Sequence, residues 1–219
     1  MLDFSIRRWL RTLPNYFLVL SILMILATLI LKMDWVAHLD YYVFFQNLYS
    51  PHPEVFPDAW SLTVEEWFYL FVPLGIFVLC KYFKVSLKNS VGIMILFIIL
   101  FCTAVRLYRH VYGPPMASFD EWDHVYRKQI ITRLDSIMYG VLAAYIRYYY
   151  KQYWGKKVLL LFIIGMALAL FDHLYLFYAR EFSNHWDFYT NVLSFNVLCF
   201  ATLLTIPYLC TIKQSDALF

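Results

Sequence analysis

The chain has 219 residues, 62% of them hydrophobic, 21% aromatic and only 15% charged, with a formal net charge of +3. A soluble domain averages roughly 45–50% apolar and about 25% charged residues. Both departures run toward the membrane. A soluble globular domain is excluded, no nucleic-acid partner is expected, and 1–219 reads as a single membrane domain.

A bilayer core of about 30 Å takes about 20 mostly apolar residues per helix. In chain order, a basic segment, Arg7-Arg8-Trp9-Leu10-Arg11, precedes a first span over roughly 12–31 that contains Pro14. The arginine pair faintly suggests a twin-arginine leader. The apolar run behind it is too long for a signal core and has no small-x-small cleavage site. The stretch Val36–Tyr49 is apolar but short, interrupted by His38, Asp40, Gln46 and Asn47. A second span covers 60–80 and contains Pro73, and further spans cover 89–108, 134–150, 157–178 and 188–211. Neighbouring helices can satisfy the backbone groups that the prolines free. Ser136, Gly140, Ala143 and Ala144 give the 134–150 span a face suited to close helix contact. The expectation is an all-α, polytopic integral membrane protein of about six transmembrane helices plus one short re-entrant or interfacial helix.

Lysine and arginine set the orientation. With the N-terminus inside and six alternating spans, the inner segments are 1–11, 81–88, 147–157 and 212–219. They hold Arg7, Arg8, Arg11, Lys81, Lys84, Lys88, Arg147, Lys151, Lys156, Lys157 and Lys213 against Asp3 and Asp216. If 36–49 crossed the membrane, the lysines at 81–88 and the cluster at 147–157 would fall outside. That stretch is therefore expected on the outer side, lining a cavity, because non-crossing backbone at membrane depth needs protein or a wet cavity around it. The location implied is the cell (inner or plasma) membrane, multi-pass, with the N-terminus cytoplasmic.

Three constellations carry potential chemistry. In the first, Arg7, Arg8 and Arg11 are three and four residues apart, so one helix face can present them together. Guanidinium forks bind phosphate oxygens, although a basic anchor on anionic lipid is the commoner use of such a cluster. The second is Trp60-Ser61-Leu62-Thr63-Val64-Glu65-Glu66-Trp67-Phe68-Tyr69-Leu70. Ser61 and Glu65 share a helix face there. An ionisable residue near membrane depth is a functional candidate, and an ordinary interfacial aromatic belt is the alternative. The third is Arg133-Leu134-Asp135, in which Asp135 suits the dipole of a helix start. An ion pair between Arg133 and Glu65 or Glu66 is the sharper possibility. Cys80, Cys102, Cys199 and Cys210 lack metal-ligand spacing. The histidines (His38, His52, His110, His124, His173 and His185) lack the pairing of a metal site, and all fall in outer loops or at outer ends of spans.

These residues, taken together and in order, resemble the membrane-bound acyltransferase 3 family, which acylates sugars of surface polysaccharides, peptidoglycan and some small glycosides. Arg7-Arg8-x-x-Arg11-x-x-Pro14-x-Tyr16 is similar to the family's arginine motif, and Phe45-Gln46-Asn47-Leu48 to its short apolar segment. Trp60–Leu70 resembles its most recognisable stretch, and Arg133-Leu134-Asp135 with Gly140 a later helix start. The resemblance covers residues 4–150. It implies transfer of an acyl group, most simply acetyl, from a cytoplasmic acyl-CoA to a sugar hydroxyl of an extracytoplasmic glycan. Arg7, Arg8 and Arg11 would bind the donor, and Glu65, Ser61, Arg133 and Asp135 would form the transfer site, with no metal and no resident cofactor. Family members are longer, and their first helix carries a histidine taken to be catalytic. No histidine here occupies that position. The chain is expected to be an internal portion of an acyltransferase, inactive alone. A non-catalytic membrane remnant that pairs with another chain is the alternative, and a transporter or flippase fits less well, since no paired halves with interrupted helices are visible.

Overall fold

The computed structural model describes residues 2–32, 34–48, 56–183 and 186–211, and among these all regular structure is helical. The chain forms α1 (Leu2–Leu31), a 3₁₀ segment (Trp35–Val43), α2 (Ala59–Lys81), α3 (Leu87–Tyr112) and the single turn α4 (Phe119–Trp122). There follow α5 (Ile130–Tyr149), the single turn α6 (Lys151–Trp154), α7 (Val158–Tyr178) and α8 (Ser194–Leu209). Wide π turns at Asp123–Arg127, Ala179–Ser183 and Tyr189–Leu193 adjoin α4, α7 and α8.

Five helices are long and apolar enough to cross a membrane: Arg7–Ile30, Ala59–Lys81, Leu87–Tyr112, Val158–Ser183 and Tyr189–Leu209. The protein is an all-α, membrane-type helical protein. The helix at 130–149 has 20 residues, enough for about 30 Å, but Arg133, Asp135 and Arg147 keep it out of that class. The outer surfaces of the long helices are apolar, as on α1, where Leu18, Ile22, Ile25 and Leu29 are exposed at helical spacing. That arrangement fits a lipid surround rather than water.

The central core is three stripes with a four-residue repeat. Val64, Phe68 and Val72 of α2 meet Ile98 and Cys102 of α3, with Met94 one turn earlier, and Ile130, Leu134 and Met138 of α5. Residues four apart stack on one helix face, so each helix presents a continuous ridge to the other two. The small-residue face expected on α5 is used only in part, at Ala143, which is buried. A Cβ on Gly140 would meet nothing within 4 Å, and Ala144 is exposed. The intimate contact lies between α7 and α8, where a Cβ on Gly165 would fall 2.7 Å from the Ala201 carbonyl oxygen. Only a glycine lets the backbones approach so closely.

One end of the bundle is tied together by polar and aromatic contacts between its loops. Gln46 donates to Thr63 at 2.6 Å and Asn47 donates to the Lys128 carbonyl at 2.6 Å, while the Ile130 amide donates to the Asn47 carbonyl at 3.1 Å. Both side chains are buried. The Phe45–Leu48 segment thus hooks the first turns of α2 and α5 to each other. Nearby, Trp122 stacks on Trp186 and Phe195. Tyr16 of α1 donates to the Tyr41 carbonyl at 2.9 Å, which holds the 3₁₀ segment on α1.

Candidate functional site

Two polar clusters lie against the helices. The first joins α1 to α2. Arg8 forms an ion pair with Glu65, stands 3.9 Å from Glu66 Oε1 and places its guanidinium 3.7 Å over the Tyr69 ring. Trp9 Nε1 donates to Glu66 Oε2 at 2.8 Å. The pairing follows from helix geometry. Tyr16 packs with Ala59 and Leu62 while Arg8 meets Glu65 and Tyr69, so α1 runs antiparallel to α2. Adjacent residues Arg8 and Trp9 then reach the adjacent acids. Sequence reasoning sets the arginines at the inner face and Glu65 at the outer end of its span. The structure brings them into contact, with Glu65 six residues, about 9 Å, into α2.

The two carboxylates differ. The Glu65 side chain is 46% exposed and that of Glu66 is 9% exposed. Glu66 lines a groove of about 320 Å³ together with Trp9, Phe44, Phe45, Trp67 and Leu70. The cluster sets two carboxylates against one guanidinium, leaving a formal charge of −1 at the groove wall. A carboxylate so placed can accept a hydroxyl proton or hold a hydroxyl by hydrogen bond. Ser61 takes no part in this. It is exposed and donates to the Asp58 carbonyl at 3.3 Å. Phe68, one turn along the helix from Glu65, is buried in the core. Arg7 and Arg11 are exposed on α1.

The second cluster replaces the expected pairing of Arg133 with Glu65 or Glu66. Asp135 pairs instead with Arg106 of α3 at 2.7 Å, and both side chains are fully enclosed. Arg106 also donates to the Thr132 carbonyl at 2.6 Å and to Asn196 at 3.0 Å. Asn196 donates in turn to Thr103 at 2.9 Å. The network thereby links α3, α5 and α8 inside the bundle. Arg133 lies 5.1 Å over the Phe195 ring, away from the α1–α2 cluster. Its guanidinium gains cation–π attraction there.

The groups that sequence reasoning passes over are Trp9, Arg106, Asn196 and Asp172. Asp172 is fully buried in α7 and accepts from Tyr189 at 2.9 Å. A signal existed for two of them, since Arg106 and Asp172 are ionisable residues inside apolar spans and such residues need partners. Among the described residues, no group of three or more His, Cys, Asp or Glu is placed to hold a metal ion. Neither a protein-family model, nor a curated protein, nor a solved structure matches the chain.

Proposed function

We propose that the chain is part of a membrane O-acyltransferase, inactive by itself, that moves an acyl group, acetyl in the simplest case, from acyl-CoA to a sugar hydroxyl of a cell-surface glycan. The observation that supports this most is the meeting of two stretches singled out by the family resemblance. Arg8 and Trp9, from the arginine motif, contact Glu65, Glu66 and Tyr69, from the Trp60–Leu70 stretch, across 57 residues of sequence. A sugar hydroxyl is a weak nucleophile and needs a base. Glu66 at the groove wall accepts its proton as the oxygen attacks the thioester carbonyl. The C–S bond then breaks, CoA leaves as thiolate, and the proton passes to it. Glu65 holds Arg8 in place. Arg7 and Arg11, four residues apart and exposed, are open to the phosphates of CoA.

The finer topology belongs to the same proposal. The segments 81–88 and 147–157 lie in the cytoplasm, 107–133 lies outside, and α5 is a sixth crossing helix. The internal pairing of Asp135 with Arg106 supports that placement, because it removes the cost of α5's acid at membrane depth. The contact of Arg8 with Glu65, near the outer end of α2, does not fit the expected N-terminus at the inner face.

The test is made in the host cell. Deleting the gene should lower the ester-linked acyl content of surface glycan, and the intact gene should restore it where Glu66→Gln does not. Unchanged ester content on deletion overturns the function, and restoration by Glu66→Gln overturns the role given to that residue.

A further inference from the structure

Away from the α1–α2 groove, a second groove of about 430 Å³ lies between α2, α3 and the start of α5. Its rim is aromatic: Phe71 of α2 and Phe97 and Phe101 of α3 line it and are themselves exposed. Its floor is the edge of the central core, where Met94, Ile98 and Leu134 are nine-tenths or more buried. Leu48 and Ile131 stand at the end where α5 begins. Among the described residues, every side chain on the wall is apolar and none carries charge.

The composition of the wall decides what can fill it. An ordered water needs about 2–4 polar partners, and this wall supplies no polar side chain. Left empty, its lining would forfeit dispersion contacts on the open side. Both α2 and α3 are among the helices long and apolar enough to cross a membrane, so hydrocarbon lies against the rim.

Size then separates one hydrocarbon occupant from another. The groove follows α3 from Met94 to Phe101, seven residues or about 10 Å. Spread over even that length, 430 Å³ gives a mean cross-section of about 43 Å², whereas a helix about 10–12 Å across with its side chains needs about 80 Å². A transmembrane helix from another chain is therefore too thick, and a single methylene chain is slim enough. Length agrees. Arg106 meets the first turn of α5 through the Thr132 carbonyl, and Met94 lies twelve residues, about 18 Å, further along α3. The tails of one leaflet occupy about 15 Å, half of the hydrocarbon core. We infer that the groove between α2, α3 and the start of α5 binds one acyl chain of a bilayer lipid, laid lengthwise along α3. The inference rests on the shape and polarity of this groove and is independent of the acyl-transfer chemistry proposed above.

The experiment is photolabelling of the intact chain in phosphatidylcholine vesicles. The probe is a phosphatidylcholine with a diazirine at the middle of one acyl chain, and labelled residues are mapped by mass spectrometry. Lipid that merely surrounds the protein reaches exposed residues such as Leu18 and Ile22 of α1. A chain in the groove also reaches the buried Met94 and Ile98, but not Met138, an equally enclosed methionine of the same core that does not line the groove. Label at Met94 and Ile98 well above that at Met138 is the expected result. Ile131→Trp fills the groove and should lower label at Met94 by about fourfold for each methylene displaced, with Leu18 and Ile22 labelled as before. If that variant does not fold, Leu48→Trp fills the same end. Label at Met94 no higher than at Met138 overturns the inference, as does undiminished label at Met94 in a folded variant with the groove filled. Unlabelled Met94 in vesicles where the chain is dimeric would give the groove to a second copy, and would overturn it too.

Discussion

Asp135→Ala removes the counter-ion of a guanidinium with no exposed surface, since both partners of the Arg106–Asp135 pair are fully enclosed. Removing one member of a buried pair costs about 3–5 kcal/mol because the other charge stays behind. Arg106 keeps the Thr132 carbonyl and Asn196 as acceptors, which places the expected loss at the lower end, about 3 kcal/mol. The double substitution Arg106→Met with Asp135→Leu removes both charges at similar volume and leaves the Asn196–Thr103 bond intact. It should come within about 1 kcal/mol of the parent or exceed it. Unfolding by rising SDS fraction in mixed micelles, followed by helical circular dichroism, gives both values and their coupling. A single-substitution cost under about 1 kcal/mol, or a double variant as unstable as the sum of its singles, would refute the reasoning.

The α7–α8 contact supplies a second prediction: Gly165→Val must part the helices where a Cβ would already sit 2.7 Å from the Ala201 carbonyl oxygen. The cost should be about 1–3 kcal/mol in the same titration, and an unchanged midpoint would show that the helices are not so close. Asp123 lies in the π turn between α4 and α5, with both Arg127 and Lys128 on its carboxylate. Burial alone would raise its pKa, but the hydrogen bonds and charges of those two residues outweigh it and the net direction is down. Its contribution is therefore full above the unfolded value of about 3.9 and is lost as pH falls below that value. The melting temperature of the parent should drop more steeply than that of Asp123→Asn on going from about pH 5 to pH 3, and parallel profiles would exclude this linkage. For topology, single cysteines at Lys84 and Asp120, in a background lacking the four native cysteines, should label from opposite faces of the membrane. Labelling from one face would sink the orientation.

Helix bounds were legible in the sequence only where the apolar run itself ends the helix; the first helix begins at Leu2, ten residues before the span expected at 12–31, and α5 begins at Ile130, four before the span expected at 134–150. The span expected at 60–80 is Ala59–Lys81 and that at 157–178 is Val158–Tyr178, each within a residue or so of the apolar run's edge. Partnerships were not legible, because they depend on which faces meet. Asp135 reads as a helix-start acid beside Arg133, yet its partner Arg106 is 29 residues away on another helix. Glu65 was matched with Ser61 from one turn of helix, yet the stronger attraction came from Arg8, 57 residues distant. Glu66 was matched, as an alternative to Glu65, with Arg133, yet its hydrogen-bond partner is Trp9, an uncharged donor that charge pairing does not reveal. Of the small residues of α5, Ala143 is buried, but Gly140 and Ala144 carried the pattern of close packing without the contact, since spacing shows which residues share a face and not what lies opposite.

The wide turn at Tyr189–Leu193 buries three consecutive residues, Thr190, Asn191 and Val192. A regular helix, turning about 100° per residue, cannot point three neighbours inward. A wide turn takes in one residue more than an α-turn needs. Excising one residue from 190–192 would let the turn close as an ordinary α-turn, with Asn196 still on Arg106 and Ala201 still on Gly165. Deletion there should therefore be better tolerated than deletion within Ser194–Leu209, where no turn has a spare residue to give up and everything beyond the cut would rotate by about 100°.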